Sequence, residues 1–263
     1  MNIVELIKTR RSVRTFDGRT VSVEDKEKLS AYITKIENPY NIPIEFVLLD
    51  AKEHGLSSPV IEGEHLYITA KIPKVECSEE AFGYSFEKMV LYAWSLGIGT
   101  TWIAATFKRP LFEKVVNKQD NEHMYCISPL GYPSKKMSDK ETKMRKALKA
   151  DERKPAEELF FDEDFDNPLN VGDEKIKTAL EAVRLAPSAT NTQPWRVVKV
   201  GNKFHFYVEH KKGYANKNGD VQKIDMGIAL CHFMSIIDGK CKIENPNIST
   251  PDDIVEYIAT VVI

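Results

Sequence analysis

Residues 186–195 read Ala-Pro-Ser-Ala-Thr-Asn-Thr-Gln-Pro-Trp. They follow an amphipathic stretch carrying Ile176, Ala179, Leu180 and Val183, and they lead into a β-like run that begins at Trp195. Pro187 has no N–H to give a helix and its ring clashes with the preceding turn, so winding must stop there. Ser188, Thr190, Asn191 and Gln193 are thereby laid out at a helix-to-strand junction. Short polar side chains in such a cluster suit reading the edge of a flat heterocycle. They equally suit a loop whose polar groups bond only its own backbone.

Outward from this stretch, the chain of 263 residues is 42% hydrophobic and 29% charged, ordinary globular usage that can bury a core without disulfides. The formal net charge of −2 excludes a globally basic nucleic-acid binder. No apolar run reaches the ~18 residues of a membrane span, and the first residues do not read as a signal peptide. Cys77, Cys126, Cys231 and Cys241 are scattered without a metal or disulfide spacing. The expectation is a cytoplasmic protein with reduced thiols and no metal.

Local signals predict the elements. Asn2 with Glu5 forms a capping box, and Ser22 with Asp25 opens a second helix. Strands are expected over 44–49 and 66–70. Ser85 is expected to cap a long helix that stops at Gly97, followed by strand-like runs over 100–104 and 124–130. Residues 135–154 are highly charged and 157–166 acidic, which marks an exposed connector. Beyond it the pattern repeats: a helix capped by Asp173, strands over 195–200 and 203–208, a long helix capped by Asp225, and a β-branched run over 254–263. The repeated order, with weak matches at a shift of about 151 positions, points to two degenerate tandem copies, 1–156 and 157–263.

Three further features bear on chemistry. Arg10, Arg11 and Arg14 flank Ser12 and Val13, and guanidinium forks suit a phosphate monoester as well as a solvated helix end. Residues 97–107, Gly-Ile-Gly-Thr-Thr-Trp-Ile-Ala-Ala-Thr-Phe, place small side chains where a backbone could approach a planar ligand. His232 lies on an apolar helix face, the place of a satisfied buried histidine rather than a catalyst. No GxGxxG follows a strand, so a Rossmann fold has no support.

Together RRSVR, APSATNTQPW, SLGIGTTWIAATF and the LGYP turn resemble the FMN-dependent nitroreductases, in the branch called putative TM nitroreductases. The resemblance implies an α+β fold with nitroreductase-like α/β/α layers. It also implies an NAD(P)H-driven oxidoreductase that reduces bound FMN and passes electrons to a nitro, quinone or similar small acceptor. The alternative is a non-catalytic flavin-binding, storage or sensor protein. By the same resemblance Arg10, Arg11, Ser12, Arg14 and Arg153 face the phosphate, ribityl chain or pyrimidine side of the flavin. Pro187, Ser188, Ala189, Thr190, Asn191 and Gln193 line it from across the interface, and Ile103, Ala104 or Ala105 presents an amide to its N5. Family sites lie between two subunits. Here the Arg segment survives only in the first half and the Pro-Ser-x-x-Asn segment only in the second, whose own leading segment carries Asp162, Glu163, Asp164 and Asp166. One FMN per chain is therefore expected, in a monomer that acts as a pseudo-dimer without nucleic-acid or membrane partners.

Overall fold

The computed structural model describes residues 1–263. Helix α1 (Ile3–Thr9) has both arms of the Asn2–Glu5 capping box, and Ser22 caps α2 (Val23–Ile33) through the Asp25 amide. Strands β1 (Glu45–Asp50) and β2 (Leu66–Pro73) pair antiparallel, with Val47 opposite Thr69. The long helix α3 (Ser78–Ser95) follows, then α4 (Arg109–Val115), β3 (Glu122–His123) and β4 (Ile127–Leu130). Both short strands return antiparallel to β2 and complete the first sheet.

Helix α5 (Asp139–Ala147) and strand β5 (Phe160–Asp162) occupy the stretch expected to be a bare connector. Strand β5 runs parallel to β6 (Trp195–Val200) at the edge of the second sheet, so the acidic segment is structural. Before β6 comes α6 (Glu174–Leu185), capped by Asp173. After it come β7 (Lys203–Glu209), a small hairpin of β8 (Ala215–Asn216) and β9 (Gly219–Asp220), and the long helix α7 (Val221–Met234). Strands β10 (Lys240–Lys242) and β11 (Val255–Val262) finish the second sheet, in the order β10-β11-β7-β6-β5.

Two expected caps are helix interiors instead. Ser85 lies fully buried within α3, where its hydroxyl accepts from the Asn38 side-chain amide at 3.2 Å. That helix starts seven residues earlier, after Cys77 turns the chain with φ 61°. Asp225 is buried within α7, and Asp220 caps that helix through the Gln222 amide. The run over 100–104 makes only isolated bridges, at Thr100 and Ile103.

Helix α3 lies on β2, α7 lies on β6 and β7, and the two helices pack against each other between the sheets. They approach backbone to backbone. A β-carbon on Gly83 would overlap the carbonyl oxygen of Ile224, and one on Gly227 would overlap that of Glu80. Each glycine thus meets the residue three positions before the opposite glycine, the reciprocal contact of an isologous interface. One apolar core runs through both halves, from Ile7 and Phe82 to Phe204 and Val261. The outer face of the first sheet is closed by α4, with Phe112 edge-on to Tyr67. The outer face of the second carries Val198 and Tyr207, with Phe161 of β5 beside Val198 and Phe165 packed edge-on to Tyr207 from the turn that follows. No helix is long and apolar enough to cross a membrane.

Candidate functional site

The Arg10–Arg14 segment leaves α1 and lies along residues 99–101. Ser12 bridges Thr100 in parallel, and the Val13 amide donates to the Thr100 carbonyl at 2.8 Å. Gly99 permits this, because a β-carbon there would strike the Val13 side chain. The segment is capped by α5, whose buried Glu141 accepts from Arg11 Nη1 at 3.1 Å and from the Arg14 amide at 3.2 Å. Ser138 and Thr15 exchange hydrogen bonds beside it. Arg11 is thus neutralised within the protein.

Arg10, Arg14 and Arg153 are not. The Arg10 side chain is only 5% exposed; its nearest carboxylate is Glu87, 3.8 Å from Nε, and that nitrogen has no hydrogen-bond partner. The Arg14 guanidinium makes no hydrogen bond or ion pair. Arg153 bonds only neutral acceptors: the carbonyls of Ala150, Glu152 and Leu185, and Asn191 Oδ1 at 3.4 Å. Its buried Nε is likewise without a partner. Burial pulls all three guanidinium groups below their usual pKa; Glu87 partly offsets this at Arg10, Glu141 at Arg14 and Asp151 at Arg153, while the positive charge of Arg145 on α5 adds to the lowering at each. Arg145 itself is paired with the exposed Asp151. A cluster of buried cations with vacant donors is a site for an anion.

The Ala186–Trp195 loop meets this cluster from the second half. Thr190, Asn191 and Gln193 hold φ of 48°, 60° and 50°, a left-handed course that non-glycine residues adopt at a cost. The loop is fixed from below, where the buried Asp225 carboxyl accepts the Ala189 amide on both oxygens at 3.1 Å. It is fixed from the side by Ser188 Oγ, which accepts the Gln193 amide at 2.9 Å. Its polar side chains then reach the strap over 149–154. Asn191 Nδ2 donates to the carbonyls of Lys149 and Glu152 at 2.8 and 3.0 Å, and Gln193 Oε1 accepts the Lys154 amide at 2.8 Å. Between strap and loop lies a cleft of about 510 Å³, lined among others by Lys149, Arg153, Lys154, Thr190 and Asn191.

The sequence matches the family described as "Putative TM nitroreductase" over residues 2–237. The chain belongs to this nitroreductase family. The "putative nitroreductase" of Thermotoga maritima, a crystal structure, aligns with 100% of this chain and 94% of its own at 21% identity, with a TM-score of 0.64. That likeness establishes the α+β nitroreductase fold. A "Putative NADH Oxidase" of Clostridium acetobutylicum aligns with 50% of this chain and 89% of its own, at 25% identity and a TM-score of 0.43. An "FMN-dependent Nitroreductase" of Clostridium difficile aligns with 52% and 92%, at 18% identity and 0.43. No curated protein matches the sequence.

In this chain the remaining expected site residues divide. The Ile103 amide is committed to the Ile127 carbonyl at 2.9 Å, whereas the amides of Ala104 and Ala105 make no hydrogen bond in the protein. The Ser12 hydroxyl is also without a partner. Pro187 ends α6 one residue beyond its C-cap, as a helix stop should. Asn191 and Gln193 spend their side chains mainly on the strap, a separate segment, and only the Ser188–Gln193 and Gln193–Asn191 side-chain bonds stay within the loop. Thr190 bonds the Tyr214 hydroxyl. Sequence reasoning missed Glu87, Glu141, Arg145 and Asp225. Each sits in a helix as an ordinary charged residue, and only tertiary packing brings it to the Arg segment or the loop.

Proposed function

We propose that the chain is an FMN-dependent oxidoreductase of nitroreductase type, which takes electrons from NAD(P)H and passes them to a nitro, quinone or similar small acceptor. The observation that carries this reading is the grouping of Arg10, Arg14 and Arg153, three largely buried guanidinium groups with two orphaned Nε donors and no carboxylate hydrogen-bonded to any of them. Those donors fit a phosphate dianion, which accepts several charge-assisted hydrogen bonds at once. Bound FMN supplies the hydride and electron chemistry, and the protein positions it and tunes its charge. Arg10 and Arg14 would hold its phosphate from one half, and Arg153 from the strap. Ser12 offers a free hydroxyl to the polar side of the cofactor. The unbonded amides of Ala104 and Ala105 are donors available to a ring nitrogen, while Pro187 to Asn191 would border it from the second half.

Asp162, Glu163, Asp164 and Asp166 work against a second phosphate. They belong to β5 and the turn after it, at the edge of the second sheet. The reading is therefore one FMN per chain in a monomeric pseudo-dimer. The visible spectrum and FMN content of the purified protein test it. A flavin spectrum with one FMN per chain is expected; two per chain would sink the single-site reading, and failure to take up added FMN would sink the flavoprotein reading. Stopped-flow mixing with NADH or NADPH should bleach the bound flavin. Absence of bleaching over minutes would identify a flavin-holding protein without turnover.

A further inference from the structure

Beneath the Arg segment lies a buried charge network that joins the two halves. His232, on α7, is fully buried. Its Nδ1 lies 2.8 Å from the Ala182 carbonyl and its Nε2 lies 2.9 Å from Glu87 Oε1, on α3. A carbonyl oxygen can only accept, so Nδ1 carries a proton. The second proton lies between Nε2 and the Glu87 carboxylate, and whichever atom holds it the pair is electrically neutral. The other Glu87 oxygen accepts the Trp102 indole N–H at 3.1 Å.

Glu87 is also the carboxylate nearest Arg10, but its charge is already spent. The 2.9 Å contact to His232 is a hydrogen bond, whereas the 3.8 Å approach of Arg10 Nε is not. Summed over Arg10, Glu87 and His232, the network carries one net positive charge in a site screened from water. Arg145 adds repulsion from the other side. We infer that His232 is a positioning residue for the anion site: by holding the charge of Glu87 from across the interface between the halves, it leaves the Arg10 guanidinium free for a phosphate. This rests on the reading of the Arg cluster as the phosphate end of an FMN site. Without the imidazole proton, Glu87 would stand as a bare carboxylate beside Arg10 and compete with the ligand.

The test pairs substitutions with opposite expected effects. His232→Gln keeps a donor and an acceptor in the cavity but removes the transferable proton. It should weaken FMN binding, read as quenching of flavin fluorescence on titration, on the order of tenfold. It should also weaken inorganic phosphate, read as the shift in thermal midpoint with phosphate concentration. Glu87→Gln should leave both affinities equal to the parent's or tighter, because Arg10 then has no rival anion. The double variant should return to within about threefold of the parent, since the two changes act on one interaction.

Parent-like binding by His232→Gln would overturn the inference, and so would a Glu87→Gln variant as weak as His232→Gln. A double variant no better than His232→Gln would also overturn it. Far-UV circular dichroism shows whether each variant folds; should His232→Gln not fold, Glu87→Gln and the double variant still decide. A parent that binds phosphate but not FMN would overturn the flavin reading and leave the phosphate arm to judge His232. A parent that binds neither would overturn both.

Discussion

Asn191 combines three tasks at one position. It holds φ 60°, which asparagine tolerates better than most residues, and its amide closes the strap over 149–154 while its oxygen touches Arg153. Asn191→Ala should cost about 1–3 kcal/mol of stability, from two lost hydrogen bonds and a less favourable left-handed residue. It should also loosen FMN, because Arg153 loses its guide; unchanged FMN affinity in a titration would count against that assignment. Glu80 tests burial rather than geometry. Its side chain is buried, one oxygen has no partner, and burial pushes its carboxyl up to about 7. A carboxyl raised in the folded state stabilises the fold relative to neutral pH while it is protonated, and that contribution is lost as pH rises from about 4.5 through about 7. Glu80→Gln should therefore raise the thermal midpoint at pH 8 but not at pH 4, with an upper bound of about 3 kcal/mol. An equal shift at both pH values would refute the burial argument.

At the scale of elements, the α3–α7 crossing makes a prediction of unusual sign. Glycine to alanine within a helix ordinarily stabilises by about 0.5–1 kcal/mol. At Gly227 the added methyl would overlap the Glu80 carbonyl, a backbone atom that cannot swing away. Gly227→Ala should thus lower stability by about 1–3 kcal/mol or more in denaturant unfolding, and Gly83→Ala should do the same. Elements were legible in the sequence where their signals are local. The caps at Asn2, Ser22 and Asp173 stand next to the amides they bond, so residue type and spacing suffice to find them. Ser85 and Asp225 carry the same residue types but sit inside long buried helices, where tertiary partners claim their side chains. The charged stretch around α5 misled for the opposite reason. Polar contacts such as Ser138 with Thr15 anchor that helix, and an apolar periodicity cannot report them.

At the scale of the whole molecule, the sequence motifs that carry the resemblance lie some 170 residues apart, yet Asn191 bonds the strap that carries Arg153, and Arg153 feels the charge of Arg10. Arg10 and Arg14 come from the first half and Asn191 from the second, with Arg153 between them. The charge balance of the site was not legible, because Glu87, Glu141 and Arg145 reach the Arg segment only through contacts distant in the chain. One continuous core under two sheets argues that the halves fold together rather than as independent units. The chain should then run as a monomer near 29.9 kDa in light scattering coupled to gel filtration. A stable dimer that needs a second copy to complete the Arg153–Asn191 cleft would overturn the pseudo-dimer reading.

The reciprocal glycines carry one more consequence. A homodimer writes both sides of its interface from one gene, so a change that spoils one site spoils its twin. A chain that encodes both sides is released from that bond. Gly83 and Gly227 still answer each other where the backbones cross, since a side chain at either would strike the opposite helix. Arg10 to Arg14 has no such answer in the acidic run of residues 162–166. On the pseudo-dimer reading proposed above, such asymmetry follows from carrying both sides of the interface in one chain.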